Sequence, residues 1–400
     1  GLYPAGGVRG YTWWGAMPQE RTFAEFFAGI GLVRMGLEQA GWRVVFANDI
    51  APQKFQMYRG FFPDADAHYR VGDIFEIDAH SVPRATLATC SFPCIDLSLA
   101  GNMRGLQAGA HSSAFWGFVR VLQAQGADAP PILLVENVNG WLYSNGGDDF
   151  RLTILTLNEL GYACDAFVLD ARRFTPQSRP RVFVVATRLA VPVGGLGGLL
   201  ERPRGLLSAR LRALLLANKD LRWFALPLPD PPPPLRTGLS QIVEPLPEDS
   251  PRWWSEAETQ RHVAMMSESH RRYVEQLARG SGFAYRTFYR RRRSAGQRAE
   301  VRRDEIAGCL RTAVGGSGKQ FLIRAGGGQI RMRAMTPREY ARLQGVPDHY
   351  PIDAPDTYAL TAFGDAVCVP VIRWIAQHAL NPLVAGETAR PTTLFEDDGG

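Results

Sequence analysis

From Thr22 onward the chain alternates short, continuous apolar runs with amphipathic stretches. TFAEFFAG (22–29) precedes the helix-like LVRMGLEQAG, and RVVFAND (43–49) precedes APQKFQMYRGF. ATLATCSF (85–92) leads through a loop to SSAFWGFVRVLQAQ, PILLVENV (131–138) precedes DDFRLTILTLNELG, and YACDAFVLD and RVFVVATR close the series. Runs rich in Val, Leu, Phe and Ala that do not alternate with polar residues predict strands buried on both faces. Helices between them supply connections long enough for parallel pairing. The predicted fold class is α/β: a doubly wound, mostly parallel, Rossmann-like sheet with ligands gathered where its strands end.

Near residue 190 the alternation stops. GGLGGLLERPRG, the run PDPPPPLRTG (229–238), the pair Trp253-Trp254 and the Arg-rich stretch 285–303 show neither strand–helix alternation nor a repeat. The proline run reads as a stiff spacer or surface loop. Helical form resumes at TPREYARLQGVP (336–347), with Thr336 as N-cap and Pro337 at the first helical position. YALTAFGDAVCVPVIRWIAQHAL (358–380) reads as a loop followed by an apolar helix that returns to the first core. The expected division is an N-terminal extension or leader (1–20), a first lobe (21–190), an inserted smaller lobe (191–335), a helix and return segment (336–385) and a tail (386–400).

Composition narrows the classes. A chain of 400 residues, 46% hydrophobic, has material for two cores. No apolar run approaches the roughly 20 residues that span a bilayer, and the N-terminal stretch lacks a signal-peptide layout, so no membrane partner is expected. The five cysteines, at 90, 94, 164, 309 and 368, lack the paired spacing of zinc ribbons. Neither a disulfide scaffold nor a metal is expected, and a reducing cytoplasm is the expected location. The net charge of +6 is uneven: 285–303 holds eight arginines against Glu300, with three aromatics interleaved. Such a run suits a polyanion, although Lys occurs only at 54, 219 and 319 and Arg therefore serves every basic purpose in this chain.

Candidate chemistry lies at the strand ends. Phe27-Ala28-Gly29-Ile30-Gly31 follows the first strand and lets a ligand approach the backbone at a helix start; a plain strand–helix turn reads the same way. Asn48-Asp49 ends the second strand, where an acid accepts hydrogen bonds from ribose hydroxyls, and Asp73 in Gly72-Asp73-Ile74 is placed to receive an adenine amino group. These two acids at successive strand ends, beside the glycine turn, favour an adenosyl ligand. Cys90 lies inside an apolar run and reads as an inert core thiol. Cys94 follows Phe92-Pro93 beyond the strand, ahead of Asp96, Ser98 and a glycine-bearing loop (Gly101, Gly105, Gly109) that reads as a hinged lid. Glu136 ends the next strand, and Gln177-Ser178-Arg179-Pro180-Arg181 presents two guanidinium groups to one side if it is extended.

In order, FAGIG, ND, GDI, FPCIDLS, ENV, QSRPR, a variable region, MTPREYARLQGVPD and GDAV resemble the motif series of the DNA cytosine C5-methyltransferases, over residues 23 to about 370. The resemblance implies S-adenosyl-L-methionine as methyl donor, a specific short sequence of double-stranded DNA as substrate, and residues 191–335 as target-recognition domain. It implies a restriction-modification methylase of bacterial or phage origin, active as a monomer at the nucleoid, with a separately acting cognate endonuclease. Cys94 is the implied nucleophile, Glu136 the acid at the ring nitrogen, Arg179 and Arg181 the groups that orient the base (Arg179 at its carbonyl oxygen), and Ser98 completes the catalytic set. Phe27, Ala28, Gly29, Gly31, Asn48, Asp49, Asp73, Ile74, Pro93, Asp365 and Ala366 are the implied cofactor contacts. Arg286, Arg290, Arg291, Arg292, Arg293, Lys319 and Gln320 are the candidate DNA contacts; Phe283, Tyr285, Phe288 and Tyr289 stack or pack, with packing favoured. An RNA cytosine C5-methyltransferase and a catalytically inactive DNA-binding homologue are the alternatives. Two departures stand out: Gly364-Asp365 replaces the usual Gly-Asn, where the acid is expected to keep the loop's hydrogen bonds, and His111-Ser112-Ser113 stands where an Arg is usual.

Overall fold

The computed structural model describes residues 20–93, 114–189, 195–312 and 318–386. Seven strands form the first sheet: β1 (Thr22–Phe26), β2 (Arg43–Asp49), β3 (Tyr69–Val71), β4 (Leu87–Cys90), β5 (Ile132–Val138), β6 (Ala163–Asp170) and β7 (Pro180–Thr187). Their order is β3-β2-β1-β4-β5-β7-β6. Neighbours from β3 through β5 pair in parallel, whereas β7 runs antiparallel to both β5 and β6. The segment joining β6 to β7 holds only a short 3-10 turn, too little for a crossover helix, and this accounts for the reversal. The winding changes direction between β1 and β4, so the segments after these two strands flank a topological switch point.

Side chains alternate across the sheet. Phe23, Leu87 and Leu134 enter one apolar layer with helices Leu32–Glu38 and Val369–Ile375, while Ala24, Phe26, Leu133 and Val135 enter the other with Ala114–Gln125 and Asp148–Glu159. The C-terminal helices pack into the core of the first sheet, and Asp356–Asp365 is a helix where a loop was expected. At Gly36 an added Cβ would lie 2.6 Å from Cβ of Ile372, so glycine lets two helices touch. The helical run Asp356–Ala385 is long and apolar enough to cross a membrane, but most of it is buried in this core.

A second, antiparallel sheet is built from β8 (Ala284–Arg293), β9 (Gly296–Val301), β10 (Phe321–Gly326) and β11 (Gln329–Ala334), in the order β11-β10-β8-β9. The Arg-rich stretch, which showed no pattern as sequence, is a hairpin. Its apolar members Phe288, Ala299 and Val301 close over Phe321, Ile323 and Met332. The chain returns to the first sheet through Ala307, whose N–H donates to the Pro176 carbonyl at 2.7 Å and whose carbonyl accepts from the Ser178 N–H at 2.9 Å. Thr336 caps the helix Pro337–Leu343, and Glu339 completes a capping box with it.

Candidate active site

The segment after β1 is held from three sides. The Ala28 N–H donates to the Asn48 carbonyl at 2.9 Å, the Gly29 N–H donates to Oδ2 of Asp49 at 2.9 Å, and the Tyr69 hydroxyl donates to the Gly29 carbonyl at 2.9 Å. The other Asp49 oxygen accepts from the Ala51 N–H at 3.0 Å. Asp49, expected to accept from ribose hydroxyls, thus also shapes the loop. Gly31 has φ 90°, and an added Cβ would meet the Phe62 ring at 2.5 Å, so no other residue fits there. Phe27 takes φ 59°, a left-handed value that costs a non-glycine residue about 1 kcal/mol and marks a constrained site.

Two of the expected cofactor residues have other work. The Asn48 side-chain amide donates to the carbonyls of Arg70 and Gly72, at 2.8 and 3.1 Å, tying β2 to β3 and the turn beyond it. The Ile74 side chain is buried against Gly117 of helix Ala114–Gln125, leaving only its backbone for a ligand. Asp73 accepts from the Phe75 N–H at 3.0 Å and stays part-exposed. Sequence reading missed Ile50 and Val71. They lie directly after Asp49 and directly before Gly72, and they are 67% and 42% exposed. Their signal was apolar residues at strand ends where turn residues are the norm. A glycine-lined loop, an acid, and two uncovered apolar side chains beside it fit an adenosyl group.

Glu136 lies two residues before the end of β5, and Arg181 is the second residue of the neighbouring β7. Their side chains, 12% and 13% exposed, meet with Nε of Arg181 at 3.4 Å from Oε1 of Glu136. Both line a small cleft with Arg179, Val367 and Cys368. Arg179 is buried: Nη1 donates to the Leu310 carbonyl at 2.9 Å, and Nη2 donates to the carbonyls of Gly364 and Ala366 at 2.9 and 2.6 Å. This corrects its expected place at the base carbonyl, because both of its Nη groups are taken up by partners within the protein. Arg181 is the guanidinium that faces Glu136. Burial, and then the charge of Arg181, lowers the pKa of Arg179 to about 10, so it is still cationic at neutral pH. A cavity of about 370 Å³ between Gly146 and Asp220 is lined by none of these residues.

Across from this cleft, Asp365 ends helix Asp356–Asp365. It accepts from Nζ of Lys54 at 3.4 Å and from the Thr312 hydroxyl. The acid at the departing Gly-Asp position thus joins three segments distant in sequence. The Ala366 carbonyl is taken by Arg179.

Glu25 on β1 is 1% exposed, and neither carboxyl oxygen meets a hydrogen-bond donor among the described residues. Burial pushes its pKa up to about 8, with Arg34 opposing. The unfolded chain ionises this group near pH 4.5, whereas the folded protein holds the proton to about pH 8. Stability is therefore lost progressively between those values and lost no further above them. Glu25→Gln removes the group, so thermal melts should show the variant gaining on the parent from pH 5 to 8. A constant difference across that range would contradict the assignment.

Cys94, Ser98 and His111 lie outside the described residues. The chain reaches them from Phe92, whose carbonyl accepts from Nδ2 of Asn137 at 3.3 Å, and from the exposed Pro93. In the second lobe, Arg286 corrects expectation. It is 9% exposed, with Nε donating to the Tyr273 hydroxyl at 2.8 Å and Nη1 lying 3.6 Å from Glu305, so its charge is internal. Gln320 is also buried, against Gly308. Arg290 lies over the Phe321 ring and Arg293 pairs with Glu300 at 2.9 Å. Arg291 and Arg292 are exposed at the hairpin's end, opposite Arg298 and Gln297, and Lys319 is part-exposed. Phe288 packs on Phe321, as favoured. Among the described residues no cluster of His, Cys, Asp and Glu has metal-holding geometry.

The fold is a methyltransferase fold. It superposes on the crystal structure of S. pombe Dnmt2 methyltransferase with a TM-score of 0.57 at 17% identity, over 91% of this chain and 99% of that one. A family model described as C-5 cytosine-specific DNA methylase matches residues 21–381, and the chain belongs to that family; it is a DNA (cytosine-5-)-methyltransferase. Among its relatives, Type II methyltransferase M.NlaX of Neisseria lactamica is 29% identical over 88% of this chain and 94% of its own length. Type II methyltransferase M.SsoII of Shigella sonnei is 28% identical over 90% of this chain and 80% of its own.

Proposed function

We propose that this methylase is of the Type II restriction-modification kind, and that it transfers the methyl group of S-adenosyl-L-methionine to C5 of a cytosine swung out of duplex DNA. The donor supplies an electrophilic methyl on sulfonium. Phe27–Gly31, Asp49, Ile50 and Val71 hold it at the switch point, with backbone donors, an acceptor for ribose hydroxyls and an apolar wall. The Glu136–Arg181 pair carries the reading, because it sets a proton-sharing acid and a donor fork in one cleft at the strand ends.

The chemistry is dictated by cytosine itself. C5 is a poor nucleophile until a soft nucleophile adds at C6. The Cys94 thiolate bonds to C6, and the displaced electron pair runs through the ring while Glu136 shares a proton with N3. Arg181 holds the exocyclic oxygen and keeps Glu136 in place. C5, now an enamine carbon, takes the methyl group. Loss of the C5 proton to a base then expels the Cys94 thiolate and restores the ring. A stacked base exposes neither face, so the target must leave the helix. Incubation with labelled donor, unmethylated plasmid DNA and a tRNA pool tests the reading. Label is expected on DNA as 5-methylcytosine, and bisulfite sequencing then yields the recognition site; label on RNA alone, or on neither, overturns it.

The four-stranded sheet is, on this reading, the target-recognition lobe, with Arg291, Arg292 and Arg298 on phosphates. Replacing Arg291 and Arg292 by Gln should weaken binding to all duplexes alike and flatten the plot of log affinity against log salt by roughly 1 per arginine. Arg286→Gln should leave that slope unchanged and lower the melting temperature instead. A slope indifferent to the exposed pair would remove this surface from the interface.

A further inference from the structure

We propose that Cys309 is a positioning residue of the base pocket, whose sulfur holds the Arg181 guanidinium in the plane where it meets Glu136. The proposal rests on the cleft being where the target base binds. Three facts bring it forward. The Cys309 Sγ accepts from Nη2 of Arg181 at 3.7 Å and from Nη1 of Arg179 at 3.8 Å, so one sulfur bridges the two guanidinium groups of the cleft. Arg179 is immobilised by the Leu310, Gly364 and Ala366 carbonyls, which makes it a fixed wall on one side of the sulfur. Cys309 itself is set by the chain on either side, where Ala307 bridges to Pro176 and Ser178 and the Leu310 N–H donates to Oε1 of Gln177 at 3.2 Å.

Arg181 needs such a partner. Its Nη1 is turned back to the Pro180 carbonyl at 2.9 Å, and its Nε serves Glu136, so Nη2 is the arm left to orient the fork. A guanidinium is planar, and fixing one arm fixes the others. Charge points the same way. Two arginines face a single carboxylate in this cleft, and a polarisable sulfur between them offsets part of the excess. Burial would raise the Cys309 pKa, yet Arg179 and Arg181 together outweigh it and bring the thiol below its ordinary value. The three other described cysteines go the other way: Cys90, Cys164 and Cys368 are buried and raised. Cys309 thus differs from them in both place and electrostatics.

The test is a mutant cycle on methyl transfer. Cys309→Ala should lower kcat about tenfold, the size expected for one charge-assisted contact, and leave the KM for the donor unchanged. Cys309→Ser keeps an acceptor and should recover most of the loss. In an Arg181→Ala background, Cys309→Ala should have no further effect, which a merely structural role would not produce. Melting curves report whether each variant is folded. Alkylation of the unsubstituted thiol by iodoacetamide, read by peptide mass spectrometry, covers the case of an unstable variant: a bound duplex carrying the mapped site should slow it. Wild-type turnover in Cys309→Ala, equal losses with and without Arg181, or labelling indifferent to DNA would each overturn the proposal while leaving the methylase reading intact. Absence of DNA methylation by the unsubstituted enzyme would overturn both.

Discussion

A Cys94→Ala variant should methylate DNA slower by on the order of 10⁴-fold or more, since in the proposed mechanism the covalent step has no substitute and the remaining groups cannot make C5 nucleophilic alone. Binding of duplex and donor should persist, because the side chain removed is small and the loop after β1 is untouched. An oligonucleotide with 5-fluorocytosine at the mapped target should trap the unsubstituted enzyme, as fluorine cannot leave C5 as a proton does, and the adduct should digest to a peptide containing residue 94. Cys90 is the control. It ends β4 at 0% exposure, and burial holds its thiol well above the ordinary range, so it cannot present a thiolate. Cys90→Ala should keep turnover and the trapped adduct. An adduct on any other side chain, or an active Cys94→Ala enzyme, would end the proposed mechanism.

The parts legible in sequence were those where local pattern and final environment agree. Uninterrupted apolar runs gave the strands because both faces of the sheet are covered, and Thr336 with Pro337 announced a helix start because capping is a contact between near neighbours. The reversal of β7 was not legible from its own run, since VFVV is equally apolar in either direction; the length of the preceding connection decides it. The second lobe was illegible for a different reason. In β8 the core-facing Phe288 is separated by arginines from the residues that pair with it across the sheet, and runs of Arg look alike whether they face solvent or one another. Arg286 and Arg291 sit five positions apart in one strand, one enclosed by Tyr273 and Glu305 and the other exposed. Within the site, Glu136 and Arg181 were recognised as residues but not as a pair, because their meeting depends on the antiparallel register that sets Val138 opposite Arg181. Cys309 was counted among the cysteines but given no role. Its partners are more than a hundred positions away, and the bonds of Ala307 and Leu310 to residues 176–179 bring it to them.

That same long-range dependence concentrates risk at the joint between the two sheets, where the largest loss of stability is expected. Arg333, at the end of β11, and Glu339, in helix Pro337–Leu343, have fully buried side chains joined by two bonds of 2.7 Å. Oε1 of Glu339 also accepts from the Thr336 N–H at 2.8 Å and Oε2 from the Glu244 N–H at 2.9 Å, while Arg333 lies against Trp253 with Arg324 and Arg331. Removing the carboxylate leaves a buried cation and two backbone donors without partners. Glu339→Ala should therefore cost about 3–5 kcal/mol in chemical denaturation, against about 1 kcal/mol for Thr336→Ala, which removes only the cap. The double replacement Arg333→Met with Glu339→Met should cost less than the sum of the single changes, because no lone charge is left behind, yet more than nothing, because the N–H groups of Thr336 and Glu244 stay unmet. Additive single effects would mean that water reaches the pair and that the joint is looser than its geometry. Since this joint carries the chain from the four-stranded sheet back toward Asp365, a partly destabilised Glu339 variant should lose methyl transfer at temperatures where the first sheet is still folded.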